Sequence, residues 1–192
     1  GKYSEYTITK GAVVIIPIQP SNFTLEKTTI WSFKERGSWA THTGGYRGNW
    51  SPYVPRNLIL RYTKPGEWVL DQFMGSGTTL VEAKLLNRNA IGLDINENAV
   101  ALANKKLQFS FDLVSQVFIR QADAANLAAI KNNSIDFICT HPPYADIIKY
   151  SHNLPKDISC LSLNDFLNRI PVVAKEAYRV LKPGHYCAIM MG

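Results

Sequence analysis

From residue 68 to the end of the chain, short apolar runs alternate with longer stretches in which apolar residues have helical spacing. The apolar runs predict five strands, at residues 68–70, 90–93, 116–120, 135–140 and 186–190. The stretches between them predict helices at residues 78–87, 97–109, 124–130 and 165–181. Short, continuously apolar strands that alternate with helices are typical of a mostly parallel sheet covered on both faces. The sequence therefore predicts an α/β doubly wound domain over residues 55–192, with strand order 3-2-1-4-5.

The first 54 residues differ in character and are predicted to form an N-terminal arm. A strand is predicted at residues 11–18, and residues 20–54, rich in glycine, serine, threonine and proline, predict an irregular segment. Residues 1–60 carry seven Lys or Arg against three Asp or Glu, whereas residues 61–141 carry eight of each. Aromatic rings lie between these cations, which suits a polyanion whose bases can stack. The candidate nucleic-acid contacts are Arg36, Trp39, His42, Arg47 and Trp50; the alternative is a solvated basic face.

Composition argues against several classes of protein. No run approaches the roughly 18–20 apolar residues that a membrane helix needs, and the polar start lacks the apolar core of a secretory signal. The three cysteines form no Cys-x-x-Cys pair, which favours a reducing compartment and predicts a cytoplasmic protein. Cys139 and Cys187 lie in apolar runs and are expected in the core. The spacing of histidines and cysteines indicates no metal site.

A glycine-rich segment, residues 71–79 (Asp-Gln-Phe-Met-Gly-Ser-Gly-Thr-Thr), follows the first strand directly and opens a helix. We call it the glycine loop. Glycines allow the backbone to approach a ligand closely, and the first turn of a helix offers free N–H groups. Asp94 ends the next strand, and Asp123 follows the third. Because the carboxyl ends of parallel strands meet at one edge of a sheet, these acids are expected to border the same ligand.

The glycine loop also narrows the choice of nucleoside. A phosphate loop needs a lysine after its last glycine, where Thr78 stands, and a dinucleotide fingerprint needs a third glycine. Acidic strand ends favour a cationic or zwitterionic nucleoside, and S-adenosyl-L-methionine fits. Asp71 is then expected near its amino-acid part, Asp94 on the ribose and Asp123 near the adenine. The candidate cofactor contacts in this part of the chain are Asp71, Phe73, Gly75, Ser76, Gly77, Thr78, Thr79, Asp94 and Asp123. The alternative is a glycine-rich turn with solvated acids.

The fourth predicted strand ends at Thr140, and the sequence His141-Pro142-Pro143-Tyr144 follows it. We call these four residues the double-proline turn. Two consecutive prolines fix the backbone and donate no hydrogen bonds, so the chain leaves the sheet rigidly. In a doubly wound sheet the fourth strand lies beside the first, which places this turn next to the glycine loop. A polar side chain, a rigid carbonyl and an aromatic ring at this turn suit methyl transfer to the exocyclic amine of a base. Such an amine needs acceptors for its two hydrogens, and its base needs an aromatic ring on which to stack. The candidate catalytic residues are therefore His141, Pro142, Pro143 and Tyr144; the alternative is a rigid loop without chemistry.

Residues 73–79 and 141–144 together resemble the amino-methylating DNA methyltransferases, which modify adenine N6 or cytosine N4. The resemblance covers roughly residues 50–192 and implies a Rossmann-like methyltransferase sheet. It also implies that the Phe-x-Gly-x-Gly loop binds S-adenosyl-L-methionine, and that the double-proline turn holds a base flipped out of DNA. The predicted helix that begins near Pro55 resembles an additional cofactor motif of this family. Pro55 and Asn57 are therefore expected to contact the methionine end.

The sequence departs from the family pattern in two respects. His141 stands where the family has Asp, Asn or Ser, and a neutral histidine accepts only one hydrogen bond through its ring. About 20 residues separate Tyr144 from the next predicted helix, which is too few for a separate target-recognition domain. We therefore expect a partner subunit or a further C-terminal segment to supply target recognition. Alternatively, the strand predicted at residues 11–18 completes the edge of the sheet.

Three other functions remain open from the sequence. Transfer-RNA guanine-N2 methyltransferases have similar Pro-Pro-Tyr turns, although residues 1–54 are short for the RNA-binding domain that usually precedes them. Enzymes that methylate glutamine in proteins have a related turn, which the basic arm of this chain makes less suitable. A partner subunit that binds the cofactor without turnover would also be consistent with the unusual His141.

Overall fold

The computed structural model describes residues 4–9, 12–110, 114–144 and 157–191. The strands are β1 (Ser4–Thr9), β2 (Ala12–Pro17), β3 (Trp68–Asp71), β4 (Asn89–Asp94), β5 (Val117–Gln121), β6 (Ile135–Thr140) and β7 (Leu181–Ile189). The helices are α1 (Tyr53–Tyr62), α2 (Thr78–Leu85), α3 (Glu97–Lys106) and α4 (Leu163–Val180), and a 3-10 turn spans Ile158–Cys160. None of the helices in the described ranges combines the length and apolar character needed to cross a bilayer.

Five strands form one sheet in the order β5-β4-β3-β6-β7, and every pair of neighbours is parallel. Counted from β3, this is the predicted order 3-2-1-4-5, so the doubly wound α/β fold is confirmed. From β3 the chain adds β4 and β5 on one side and then β6 and β7 on the other, so the direction in which strands are added reverses at β3. A crevice therefore opens beyond the carboxyl ends of these strands, which is where ligands bind in such sheets.

Helices cover both faces of the sheet because successive strand residues point to opposite sides. On one face, Val69 of β3 packs in a cluster with residues of α1, α2 and α3, including Leu80. On the other face, Leu70 packs with residues that include Val180 of α4. Every residue of β6 is buried, as expected of a central strand covered on both sides.

The short helix predicted at residues 124–130 does not form, and the segment consists of turns. The carboxylate of Asp123 accepts from the Ala125 N–H at 2.9 Å, and the Asn126 side chain accepts from the Ala128 N–H at 3.2 Å. Such short-range bonds compete with the helical pattern for the same N–H groups. The helix prediction was wrong because it counted apolar spacing and gave no weight to these two side chains.

The N-terminal arm adds no strand to the main sheet. The strand predicted at residues 11–18 is β2, and it pairs antiparallel with β1 in a separate two-stranded sheet. The proposal that this strand completes the edge of the main sheet is therefore wrong. The predicted irregular segment is confirmed, since no helix or strand occurs between β2 and α1. Trp39 and Ala40 of this segment pack against Val81 and Leu85 of α2.

The two cysteines expected in the core have different surroundings. Cys139 is fully buried in β6, as predicted, and burial raises the pKa of its thiol well above the usual value. Cys187 is exposed, so the prediction for it was wrong. It lies in β7, which is the edge strand of the sheet, and there an apolar residue is not covered from every side.

Candidate active site

A cavity, partly open to solvent, lies where the glycine loop meets the double-proline turn. Small-molecule and cofactor sites are concave and are found at such switch points of α/β sheets. Segments that are distant in sequence form its walls: residues 46, 48–50, 71–76, 94–96, 122–124, 141–144 and 157–158. The strand tips predicted to meet are therefore brought together by the fold.

Most of the predicted site residues line this one cavity. They are the four residues of the double-proline turn, His141, Pro142, Pro143 and Tyr144, and the predicted cofactor contacts Asp71, Phe73, Gly75, Ser76, Asp94 and Asp123. Trp50, predicted as a nucleic-acid contact, also lines it. The predicted cofactor contacts that do not reach the wall are Gly77, Thr78, Thr79, Pro55 and Asn57.

The carboxylate of Asp71 connects the two halves of the site. Within the glycine loop it accepts from the Phe73 N–H at 3.1 Å and from the Thr79 hydroxyl at 2.6 Å. From the tip of β6 it accepts the Thr140 hydroxyl at 2.7 Å, one residue before His141. Burial raises its pKa to about 6, against the opposing effect of these hydrogen bonds. Asp71 and Thr79 therefore shape the loop and fix it beside the double-proline turn.

Asp94 holds the glycine loop from the tip of β4. Its two carboxylate oxygens accept from the backbone N–H groups of Gly75 and Asn96, each at 2.9 Å. Burial raises the pKa of this carboxyl, while those two hydrogen bonds oppose the shift. A carboxylate oxygen can accept a further hydrogen bond, so Asp94 can receive ligand hydroxyls at the cavity wall without releasing the loop.

The two glycines of the loop have positive φ angles, 51° at Gly75 and 82° at Gly77. A Cβ atom on Gly75 would lie 2.9 Å from Cε1 of Tyr46, so glycine is what allows the Tyr46 ring to pack on this part of the cavity wall. A Cβ atom on Gly77 would meet that of Ala103 in α3 at 3.1 Å. Gly77 therefore serves the packing of the loop on α3, and Gly75 the shape of the cavity.

The carboxylates on the cavity wall come from four different segments of the chain. Asp123 accepts from the Arg169 guanidinium and from the Ala125 N–H, so its charge is compensated. Asp157, which sequence reasoning missed, also lines the cavity and accepts from the Ser159 N–H and hydroxyl. The Asp-x-Ser pattern before a turn was the available signal. Together with the strand-tip acids, these groups favour a ligand with positive charge or several hydroxyls.

Pro55 and Asn57 are buried in α1 and lie away from the cavity wall. The Asn57 side chain accepts from the Glu26 N–H at 2.7 Å and donates to the Tyr53 carbonyl at 2.8 Å. Neither residue therefore lines the cavity, and the Asn57 side chain instead joins the arm to the start of α1. The segment just before this helix reaches the cavity instead.

Residues 46–50, which we call the arm loop, form the wall opposite the strand tips. Tyr46 packs against Gly75, and the Thr78 hydroxyl donates to the Asn49 side chain at 2.5 Å. Trp50 is buried and stacks on the His141 imidazole, with ring centroids 5.6 Å apart and planes at 27°. Tyr46, Gly48 and Asn49 were missed from the sequence because their partners lie about 30 to 90 residues further along the chain.

Two of the predicted nucleic-acid contacts are buried beneath the arm. Trp39 is 3% and His42 4% exposed, and both side chains bond Oε1 of Glu82 in α2 at 2.7 Å. The Arg56 guanidinium donates to Oε2 of the same carboxylate at 2.7 Å. Glu82 is fully buried. The assignment of Trp39 and His42 to nucleic-acid binding is therefore corrected: they attach the arm to α2.

The other two predicted arm contacts differ from each other. Arg36 donates to the Trp50 carbonyl at 2.9 Å, and burial lowers the pKa of its guanidinium. It supports the arm loop. Arg47 is exposed and lies in the chain between Tyr46 and Gly48, which both line the cavity. Within the described ranges, no three His, Cys, Asp or Glu side chains are grouped closely enough to hold a metal ion.

The double-proline turn presents its polar groups to the cavity. Nε2 of His141 lies 2.8 Å from Oη of Tyr144. Burial lowers the pKa of the His141 imidazole, and a hydrogen bond to the Gly48 backbone acts in the opposite direction. The ring therefore stays neutral through a wider range of pH than a solvated histidine and keeps an acceptor nitrogen.

Two family profiles match the amino-acid sequence of this chain. The profile described as DNA methylase matches residues 6–105, and one described as RMKL-like, methyltransferase domain, matches residues 58–158. The first covers more than half of the chain. The chain belongs to the DNA methylase family. The two profiles together span both the glycine loop and the double-proline turn of this methylase.

Individual relatives are similar to parts of this methylase. It is 45% identical over 56 residues, 29% of its length, to the type II methyltransferase M2.DpnII of Streptococcus pneumoniae. It is 52% identical over 54 residues, 26% of its length, to the type II methyltransferase M1.MboII of Moraxella bovis. Each match covers 21% of the relative. The fold is similar to that of TrmN from Thermus thermophilus, with TM-score 0.57 and 26% identity over 74% of this chain and 39% of that one.

Proposed function

We propose that this chain is the catalytic part of an enzyme that methylates an exocyclic amine in DNA, at adenine N6 or cytosine N4. The methyl donor is S-adenosyl-L-methionine. The observation that carries the proposal is the shared cavity, in which Asp71 ties the glycine loop to the residue preceding His141. Similarity to type II methyltransferases supports DNA as the substrate. In this proposal residues 1–54 are an arm and residues 55–192 the catalytic domain.

The cavity fits S-adenosyl-L-methionine in shape and in charge. The Tyr46 ring packs on Gly75 at the cavity wall, and the carboxylates of the wall suit a cationic nucleoside. Asp94 would receive the ribose hydroxyls, and Asp123 would lie near the adenine. When bound, the cofactor supplies an electrophilic methyl group on a positively charged sulfur. The protein contributes binding, orientation and electrostatics.

The double-proline turn would hold and activate the target amine. The lone pair of an exocyclic amine is delocalised into the base, so the nitrogen is a weak nucleophile. Nε2 of His141 and the carbonyl of Pro142 would accept its two hydrogens, which concentrates the lone pair on nitrogen. Tyr144 would stack on the base, which must leave the duplex to reach the cavity.

Target recognition is proposed to lie outside the segments described so far. The 18 residues between Tyr144 and α4 are too few for a separate recognition domain. A partner subunit, or a segment of the protein beyond residue 192, would then read the DNA sequence. The exposed Arg47 and the net charge of +6 favour contact with phosphate groups.

Methyl transfer to nucleic acid tests the proposal directly. The chain is incubated with tritiated S-adenosyl-L-methionine and either duplex DNA or transfer RNA, and the modified nucleosides are identified by mass spectrometry. We expect N6-methyladenine or N4-methylcytosine from DNA and no label on RNA. Label on guanine N2 of transfer RNA would replace the proposal with the RNA alternative. Cofactor binding without transfer to any nucleic acid would favour an inactive partner subunit.

Replacement of Asp94 by alanine is expected to weaken cofactor binding strongly. The variant loses the acceptor of two backbone hydrogen bonds and of the ribose hydroxyls. Hydrogen bonds to charged groups contribute about 1.5–3 kcal/mol each, so the Kd for S-adenosyl-L-methionine should rise roughly 100-fold. Isothermal titration calorimetry measures this change.

Two variants serve as controls for Asp94→Ala. Asp94→Asn keeps one acceptor oxygen and should show an intermediate Kd. Asp165→Ala removes an exposed carboxylate from the first turn of α4 and should leave the Kd unchanged. An unchanged Kd in Asp94→Ala would remove this carboxylate from the cofactor site.

A further inference from the structure

The imidazole of His141 is held by the N-terminal arm, although it belongs to the double-proline turn. Trp50 stacks on one face of the ring at a centroid distance of 5.6 Å. Gly48 lines the same cavity, and its backbone opposes the lowering of the imidazole pKa by burial. Both residues belong to the arm loop, about 90 positions before His141.

These contacts distinguish the two ring nitrogens. Nε2 faces Oη of Tyr144 at 2.8 Å, and a phenol hydroxyl that donates to this nitrogen requires the lone pair there. In a neutral imidazole one nitrogen is the donor and the other the acceptor. With the hydrogen on Nδ1, the lone pair lies on Nε2, which borders the cavity. The stack on Trp50 opposes rotation of the ring, which would exchange the two nitrogens.

We propose that Trp50 is a positioning residue that fixes His141 as the Nδ1–H tautomer, with Nε2 as the acceptor for the target amine. This inference rests on the proposed amine methylation. A carboxylate in this position would accept through either oxygen and need no such support. An imidazole accepts through one nitrogen only, so its tautomer and orientation decide whether it can take the role.

The arm loop is fixed by hydrogen bonds to the rest of the protein, so it can hold the His141 ring in one orientation. The Arg36 side chain fixes the Trp50 carbonyl at 2.9 Å, and the Thr78 hydroxyl fixes Asn49 at 2.5 Å. Behind them, Trp39 and His42 attach the arm to Glu82. The arm loop is thus fastened to the glycine loop and to α2 while it contacts the imidazole.

Nitrogen-15 NMR of the histidine side chains tests the inference without turnover. The His141 signals are assigned from their loss in His141→Gln. His185 of the edge strand β7, whose Nδ1 bonds the Asp136 carbonyl, provides an internal reference. In the parent we expect the Nδ1–H pattern and a titration midpoint below 6.5. In Trp50→Leu we expect a mixture of both tautomers and a midpoint that moves toward 6.5.

Other titratable groups border the same cavity and are monitored in the titration. They are Tyr144 on the turn, Tyr46 on the arm loop, and Asp71, Asp94, Asp123 and Asp157 on the remaining walls. Substitution of Trp50 removes none of these titratable groups from the cavity wall. A shift of the His141 midpoint in Trp50→Leu is therefore assigned to the lost ring rather than to an altered set of charges.

Matched variants separate positioning from general loss of packing. Trp50→Phe keeps an aromatic face and should restore the parental tautomer. Trp68→Leu removes a tryptophan that stacks on Phe118 at the opposite end of β3, and should leave His141 unchanged. Because Trp50 is part of the core, circular dichroism confirms the fold of each variant. A parental tautomer and midpoint in folded Trp50→Leu would overturn the inference.

Turnover gives a second readout. In Trp50→Leu, kcat should fall roughly 10- to 100-fold, since small misplacements of a catalytic group have effects of this size. The acid limb of the pH–rate profile should move with the NMR midpoint, and Trp50→Phe should restore both. If the parent transfers no methyl group, the proposed function fails, whereas the NMR comparison still decides whether Trp50 controls the tautomer.

Discussion

Replacement of Tyr144 by alanine is expected to lower kcat for methyl transfer by roughly 100- to 1000-fold, while the Kd for S-adenosyl-L-methionine stays within a factor of about three. Stacking of a base on an aromatic ring contributes about 1–3 kcal/mol, and loss of orientation at the reacting nitrogen adds to this. In the proposed site the cofactor is held by the glycine loop and the strand-tip acids, whose hydrogen bonds do not involve the Tyr144 hydroxyl. Single-turnover kinetics and calorimetry measure the two quantities separately.

Tyr144→Phe is the matched control for this substitution. It keeps the ring for stacking and removes only the hydroxyl that contacts Nε2 of His141. Because the base amine needs that nitrogen, loss of the hydroxyl leaves it free, and kcat should be close to that of the parent. Parental turnover in Tyr144→Ala would contradict the stacking role. A large loss in Tyr144→Phe would show that the hydroxyl itself takes part.

Replacement of Glu82 by alanine is expected to lower the free energy of unfolding by about 3–5 kcal/mol. The substitution leaves the Arg56 guanidinium without its buried carboxylate and removes the acceptor of Trp39 and the partner of His42. Small domains are stable by only about 5–15 kcal/mol, so this is a large part of the total. Urea denaturation followed by tryptophan fluorescence measures the change.

Two further carboxylate variants calibrate this result. Glu82→Gln keeps one acceptor oxygen but not the charge, so an intermediate loss is expected. Glu97→Ala removes an exposed carboxylate from the first turn of α3 and should cost about 1 kcal/mol or less. A loss below about 1 kcal/mol in Glu82→Ala would mean that the arm is held mainly by its apolar contacts.

The main sheet could be predicted because its signal is local. Each strand is a short apolar run, and the glycine loop, Asp94 and the double-proline turn each follow such a run directly. The rules of parallel sheets then determine which strand tips become neighbours. No contact between particular side chains is needed for this step, which explains why both the strand order and the shared cavity emerged from the sequence.

The arm could not be predicted in the same way. Trp39 and His42 are residue types that suit a surface that binds nucleic acid. Their common partner Glu82 lies on α2, 43 and 40 residues further along the chain, so the local sequence does not reveal the contact. Nothing in the pattern around Glu82 marks it as buried, since a charged residue on a short helix is normally solvated. The role of the arm loop at His141 depends on the same long-range pairing.

The buried carboxylate of Asp71 makes the two halves of the site mechanically inseparable. Asp71, at the end of β3, accepts hydrogen bonds from Phe73 and Thr79 of the glycine loop and from Thr140 at the end of β6. One carboxylate therefore fixes the two strand ends relative to each other. A shift of the glycine loop would therefore also disturb the end of β6, where the double-proline turn begins. A redesign of this chain for a different nucleobase has to keep these three hydrogen bonds intact.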